Sequence, residues 1–201
     1  MRRRQVIKRK PIPKFIARAI WEAENDLKVE GSKQLDIVMC SSILALNRYW
    51  GWKTDRLSKL LFLQQEIWDE VGADNDISMI KLLDEECDIE LTNHEGVSYK
   101  DVIYLNAEID TGKDLSPYEW LRMRQNQKKW IECQIMACVF LALHRKEGWG
   151  AKRVKELLDH AQAIKEEFDY DPKLLCEAVM NEAHYDWLGQ LKEQEKEEKG
   201  E

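Results

Sequence analysis

The chain has 201 residues, 44% of them hydrophobic, enough to bury a real core in one large domain or two small ones. No run approaches the roughly 20 apolar residues needed to cross a bilayer, and the basic start MRRRQVIKRKPIPK lacks the apolar stretch and cleavage site of a signal peptide, so a cytoplasmic protein is expected. The formal charge is −7; since residues 1–18 contain Arg2, Arg3, Arg4, Lys8, Arg9, Lys10, Lys14 and Arg18 without an acid, a local +8, the remainder carries −15.

In chain order, residues 1–13 form a basic arm in which Arg2, Arg3, Arg4, Lys8, Arg9 and Lys10 are the candidates for contact with nucleic-acid phosphates. Scarce glycine and proline, with apolar residues at three and four spacing, predict helices nearly throughout. The first helix is expected from Lys14 to Glu30, stopped by Gly31, and a second from Lys33 to Trp50, stopped by Gly51. A third starts near Thr54 and closes at Gly72; a fourth, capped by Asp76, runs through Ile80, Leu83 and Cys87. Residues 92–115 read as a linker in which VIYL has strand propensity and leaves room for a short hairpin. SPYE at Ser116–Glu119 spells a capping box with proline at the first helical position, opening one long helix, or two with a weak break near Asn126, that lasts to Gly148. Helices at Ala151–Phe168 and Lys173–Leu188 follow, and residues 191–201 form a charged tail.

LALNRYWGWKTDRLSKLL, at Leu44–Leu61, recurs as LALHRKEGWGAKRVKELL at Leu141–Leu158, with nine of eighteen positions identical. Further on, Gln65, Ile67 and Glu70 match Gln162, Ile164 and Glu167, and EECDIEL lies over NEAHYDW after a one-residue gap. The chain therefore reads as an all-α tandem repeat, unit 1 at 14–91 and unit 2 at 116–190, each a set of about four helices and the two packed with pseudo-twofold symmetry. Gly51 and Gly148 are expected to close helices in the left-handed conformation, with Trp52 and Trp149 folded back on Leu46 and Leu143 at a corner between antiparallel helices.

Arg48 and Arg145 lie in last helical turns, where the dipole favours a cation. Arg56 and Arg153 lie in first turns, where it does not, so they require either a nearby acid such as Asp55 or an anionic ligand or partner, with Trp52 or Trp149 as a stacking surface. Trp50, with Tyr49, has no counterpart in the second copy, where Glu147 and Lys146 stand.

The second string resembles small all-helical proteins of unknown function from phages and prophages of Gram-positive bacteria. His144, Glu147, Gly148, Trp149, Gly150 and Arg153 fit that pattern, while the first copy has Asn47, Trp50 and Lys53 in place of the histidine, the acid and the second glycine. The resemblance implies a viral or prophage accessory protein in a bacterial cytoplasm, and no activity.

Other chemistries have thinner support. Glu66 and Asp69 with Glu85 and Asp88 resemble the paired-acid helices that hold magnesium in all-α nucleotide pyrophosphatases, but the second copy has Ala163, Glu166, Asn181 and His184 there. The helix–glycine–helix outline resembles a helix-turn-helix, yet Ala151–Phe168 sets Lys152, Arg153, Lys155 and Lys165 against Glu156, Asp159, Glu166 and Glu167. Five scattered cysteines and four histidines show no metal spacing and read as reduced, buried thiols and capping or exposed rings. The expectation is a non-catalytic protein with no cofactor or metal that binds a host protein or sequesters a nucleotide-like anion to blunt host defence. A nucleic-acid-binding regulator and a magnesium-dependent pyrophosphatase are the alternatives, and a homo-oligomer is left open.

Overall fold

The computed structural model describes residues 13–71, 78–93, 95–100 and 116–189. Its helices are α1 (Lys14–Trp50), α2 (Thr54–Val71), α3 (Ser78–Cys87), α4 (Pro117–Glu147), α5 (Ala151–Glu167) and α6 (Pro172–Ala178), the last continued by a π-helical turn at Val179–Ala183. Among the described residues the only extended pairing is one antiparallel bridge, Thr92 with Ser98, around a turn at Gly96. The VIYL segment, Asp76, Gly72 and the charged tail lie outside the described residues.

Two sequence expectations are corrected. Gly31 does not stop a helix: α1 passes through it unbroken for 37 residues. The residue after Gly31 is Ser32, so no apolar side chain is there to fold back and close a cap. The glycine instead admits the neighbouring helix, since a Cβ at position 31 would stand 2.9 Å from the Ile131 Cδ1. The last helix also ends early: His184 adopts φ 51° and turns the chain so that Tyr185 and Trp187 enter the core. Asp88, its counterpart in the repeat, does the same at φ 53° to bury Ile89 and Leu91.

The opening of α4 follows the sequence reading. Ser116 Oγ accepts from the Glu119 amide at 3.3 Å, the Glu119 carboxylate accepts from the Ser116 amide at 2.7 Å, and the helix then runs 31 residues without a break at Asn126.

Every residue from Ile37 to Leu46 in α1 is buried, and so is every residue from Ile135 to Leu143 in α4. A helix that is apolar on all sides belongs in the centre of a molecule. Gly31 meets Ile131 at one end of this pair and Trp50 meets Trp149 at the other, so the two central helices run side by side in the same direction. Around them the packing crosses between units: α1 packs on α4, α5 and α6, and α4 on α2 and α3. The expected hairpins are thus not closed within a unit; α2 leaves the Gly51 corner to lie on the other unit's long helix. One connected hydrophobic cluster joins residues from both units. Lys165, read from sequence as a surface cation, is 1% exposed; its Nζ donates to Glu132 at 2.7 Å where unit 1 has Trp68.

Candidate ligand-binding face

The two corners of the repeat are built alike. Gly51 and Gly148 sit at φ 65° and 68°. The next amides, of Trp52 and Trp149, donate to the carbonyls of Leu46 and Leu143, each at 3.1 Å, and both indoles are buried. Asn47 Nδ2 donates to the Trp52 carbonyl at 2.8 Å, and His144 Nδ1 stands 2.6 Å from the Trp149 carbonyl. A carbonyl only accepts, so Nδ1 carries the hydrogen. The asparagine and histidine that look like a departure between the copies therefore perform one task.

The corners meet. The Trp52 and Trp149 rings form an edge-to-face pair with centroids 5.8 Å apart, and Trp50 packs on Trp149 at 5.1 Å. The aromatic run continues outward to His160, 5.6 Å from Trp50, and to Tyr49, stacked on His160 at 3.6 Å and 52% exposed. At its edges the Arg56 guanidinium lies 4.0 Å from the Trp52 ring centroid, and that of Arg153 lies 5.2 Å from the Trp149 centroid. Such stacks contribute about 0.5–1 kcal/mol each at exposed sites.

The two arginines are not equivalent. Arg56 donates to Glu147 of the other unit at 2.8 Å, not to Asp55 as a local pairing would have it. At the position matching Glu147, unit 1 has Trp50, so the repeat supplies Arg153 with no equivalent carboxylate. Among the described residues Arg153 forms no ion pair.

Arg48 and Arg145 serve a different purpose. Arg48 donates to Glu167 and Glu182, with closest distances of 2.7 Å to each. Arg145 donates from Nε to Glu86 at 2.9 Å, and Nη1 lies 3.8 Å from Glu70. Glu167 and Glu182 are the repeat counterparts of Glu70 and Glu86, so each unit's arginine is held by the same two acids of the other unit. The hydrogen bonds from Arg145 and Arg48 hold the Glu86 and Glu182 carboxyls below the usual carboxylate range. Lys146, from the position matching Tyr49, joins Glu66 at 3.2 Å and also pairs with Glu70.

Three of the four acids considered for magnesium have separate partners: Glu66 takes Lys146, Asp69 accepts from Gln65, and Glu85 takes Lys81. Among the described residues no three acid, histidine or cysteine side chains gather as a metal site. No helix among them is long and apolar enough to cross a membrane. On α5, burial of Lys165 leaves fewer cations for a nucleic-acid groove than the sequence count gave. Arg2, Arg3, Arg4, Lys8, Arg9 and Lys10 lie outside the described residues, as does His94.

Sequence reasoning missed the roles of Glu147 and His160, and it missed an apolar cleft of about 420 Å³ between α1 and α6 that includes Cys176 and Trp187. Glu147 did carry a signal, as one of the positions where the copies differ. No family model, curated protein or solved structure matches this chain.

Proposed function

We propose that the chain is two copies of one helical unit about a pseudo-twofold axis, and that it acts as a non-catalytic binding protein for a small phosphorylated, nucleotide-like anion. The ligand lies on the face where the two corners meet. The observation that supports this is the pairing of Arg153 with Trp149: a guanidinium over an indole, beside a partly exposed aromatic run, with no carboxylate partner among the described residues. Arginine recognises phosphate through paired N–H donors, and exposed aromatic rings offer a nucleobase a stacking surface. Arg56 would contribute only by leaving Glu147, so this carboxylate opposes binding until the ligand phosphate displaces it.

In the phage setting implied by the sequence resemblance, sequestration would withdraw a nucleotide from host defence without a chemical step. The test is titration with a nucleoside diphosphate and with inorganic pyrophosphate, followed by tryptophan fluorescence and calorimetry. Arg153→Ala should weaken binding tenfold or more, a loss of about 1.4 kcal/mol. Glu147→Gln should tighten it by freeing Arg56. The absence of saturable binding, or binding indifferent to both substitutions, would count against the reading.

A further inference from the structure

Cys40 and Cys176 come from different units and meet across the interface of α1 and α6 with their sulfurs 3.5 Å apart. Cys40 is fully buried in the centre of α1, and Cys176 is part-exposed on the wall of the 420 Å³ cleft, beside Met180, Trp187 and Leu188. The other three thiols are buried singly: Cys133 and Cys138 donate to the carbonyls of Thr92 and Gln64, and burial pushes both up to about 12. The repeat supplies an internal comparison. The residues matching Cys40 and Cys176 in the other unit are Ala137 and Ile80, both buried and apolar, so the packing itself does not call for sulfur at either place.

We infer that Cys176 and Cys40 form a reactive dithiol, in which Cys176 is oxidised by a hydroperoxide entering the apolar cleft and Cys40 resolves the product to an intramolecular disulfide. A Cys40 thiol that donates its hydrogen to the Cys176 sulfur favours the thiolate at Cys176, and that hydrogen bond, reinforced by burial, keeps Cys40 protonated. The Cys176 thiolate attacks the terminal peroxide oxygen; the S–O bond forms, the O–O bond breaks, and the alkoxide leaves and takes a proton as an alcohol. The Cys40 sulfur then attacks the sulfenic sulfur of Cys176; the S–S bond forms, the S–O bond breaks, and the hydroxide leaves with the Cys40 proton as water. The two thiols supply the two electrons that reduce the peroxide. Closure to the roughly 2.05 Å of a disulfide requires the two sulfurs, 3.5 Å apart, to approach by about 1.5 Å. The bond would tie unit 1 to unit 2 across 136 residues of chain.

The experiment treats the full chain with cumene hydroperoxide, then titrates thiols in denaturant and maps crosslinked peptides. The wild type should fall from five free thiols to three, with one Cys40–Cys176 peptide pair, and dithiothreitol should restore all five. Cys40→Ala places the residue that the other unit already packs at this position, and it should leave a sulfenic acid at Cys176 that dimedone traps. Cys176→Ser should keep its four thiols. Helical circular dichroism of each variant checks that it is folded. Five thiols remaining in the oxidised wild type, a crosslink between other cysteines, or no dimedone adduct in folded Cys40→Ala would overturn the proposal.

Discussion

At Gly51 and Gly148 nothing stands within 4 Å of where a Cβ would be, so an added methyl meets no atom and only the backbone resists it. Gly51→Ala and Gly148→Ala should each cost about 1–2 kcal/mol, the penalty of a left-handed non-glycine residue, and by similar amounts. Gly150, at φ −71°, has no such requirement, and Gly150→Ala should shift the urea midpoint little. His144→Asn should keep the bond to the Trp149 carbonyl that Asn47 makes in the other corner, whereas His144→Ala should lose about 1 kcal/mol. Urea denaturation of the variants checks these orderings. The glycine and tryptophan were legible because their conformational rule is local. The role of residues 47 and 144 was not, because an amide and an imidazole look unlike until each is seen to donate to the tryptophan carbonyl of its own corner. The acid that holds Arg56 was illegible for the complementary reason: Glu147 is 91 residues away.

The helices themselves were mostly legible, since α4 and α5 begin and end near the punctuation that predicts them and α2 begins at Thr54. The failure at Gly31 shows the limit of that punctuation: a glycine ends a helix when the next side chain can close the cap, and it continues one when a neighbouring helix needs the space. What no helix reveals alone is its partner. Arg48 and Arg145 looked like dipole cations, yet each binds two acids of the other unit. Arg48→Ala leaves Glu167 and Glu182 without their shared cation, Arg145→Ala leaves Glu86 without its own while Glu70 keeps Lys146, and each should cost up to about 1 kcal/mol at neutral pH. Glu86 and Glu182 have folded-state pKa values below their unfolded ones, so the unfolded chain binds protons first as pH falls. Their contribution is complete above the unfolded glutamate range, near pH 4.3, and is lost as the pH falls through the lower folded values. The Arg48→Ala/Arg145→Ala double variant should therefore show a flatter loss of stability below about pH 5 than the wild type in urea midpoints measured against pH. An equally steep acid limb in the double variant would remove these pairs as its cause.

The duplication was legible in the sequence, but its consequence at the scale of the molecule was not, because a repeat does not say whether its copies stand apart or exchange their contacts. Here α1 is surrounded by α4, α5 and α6, and α4 by α1, α2 and α3, so neither unit can bury its own central helix. The ten-residue buried stretch Ile37–Leu46 would lie largely open to water in an isolated first unit. Covering it is worth tens of kcal/mol gross, at about 25 cal/mol per Å² of apolar surface, against a net stability of about 5–15 kcal/mol for a whole domain. A fragment of residues 1–100 should accordingly show reduced helicity and no cooperative unfolding as a monomer, and so should a fragment of residues 116–201. Mixed, the two should regain the helical signal and elute together, because the arginine–glutamate exchange and the Trp52–Trp149 contact all run between them. Cutting the intact chain within residues 101–115 should then leave its elution volume unchanged. Circular dichroism with size-exclusion chromatography decides the matter, and cooperative unfolding of either fragment alone as a monomer would show that the unit folds without its twin.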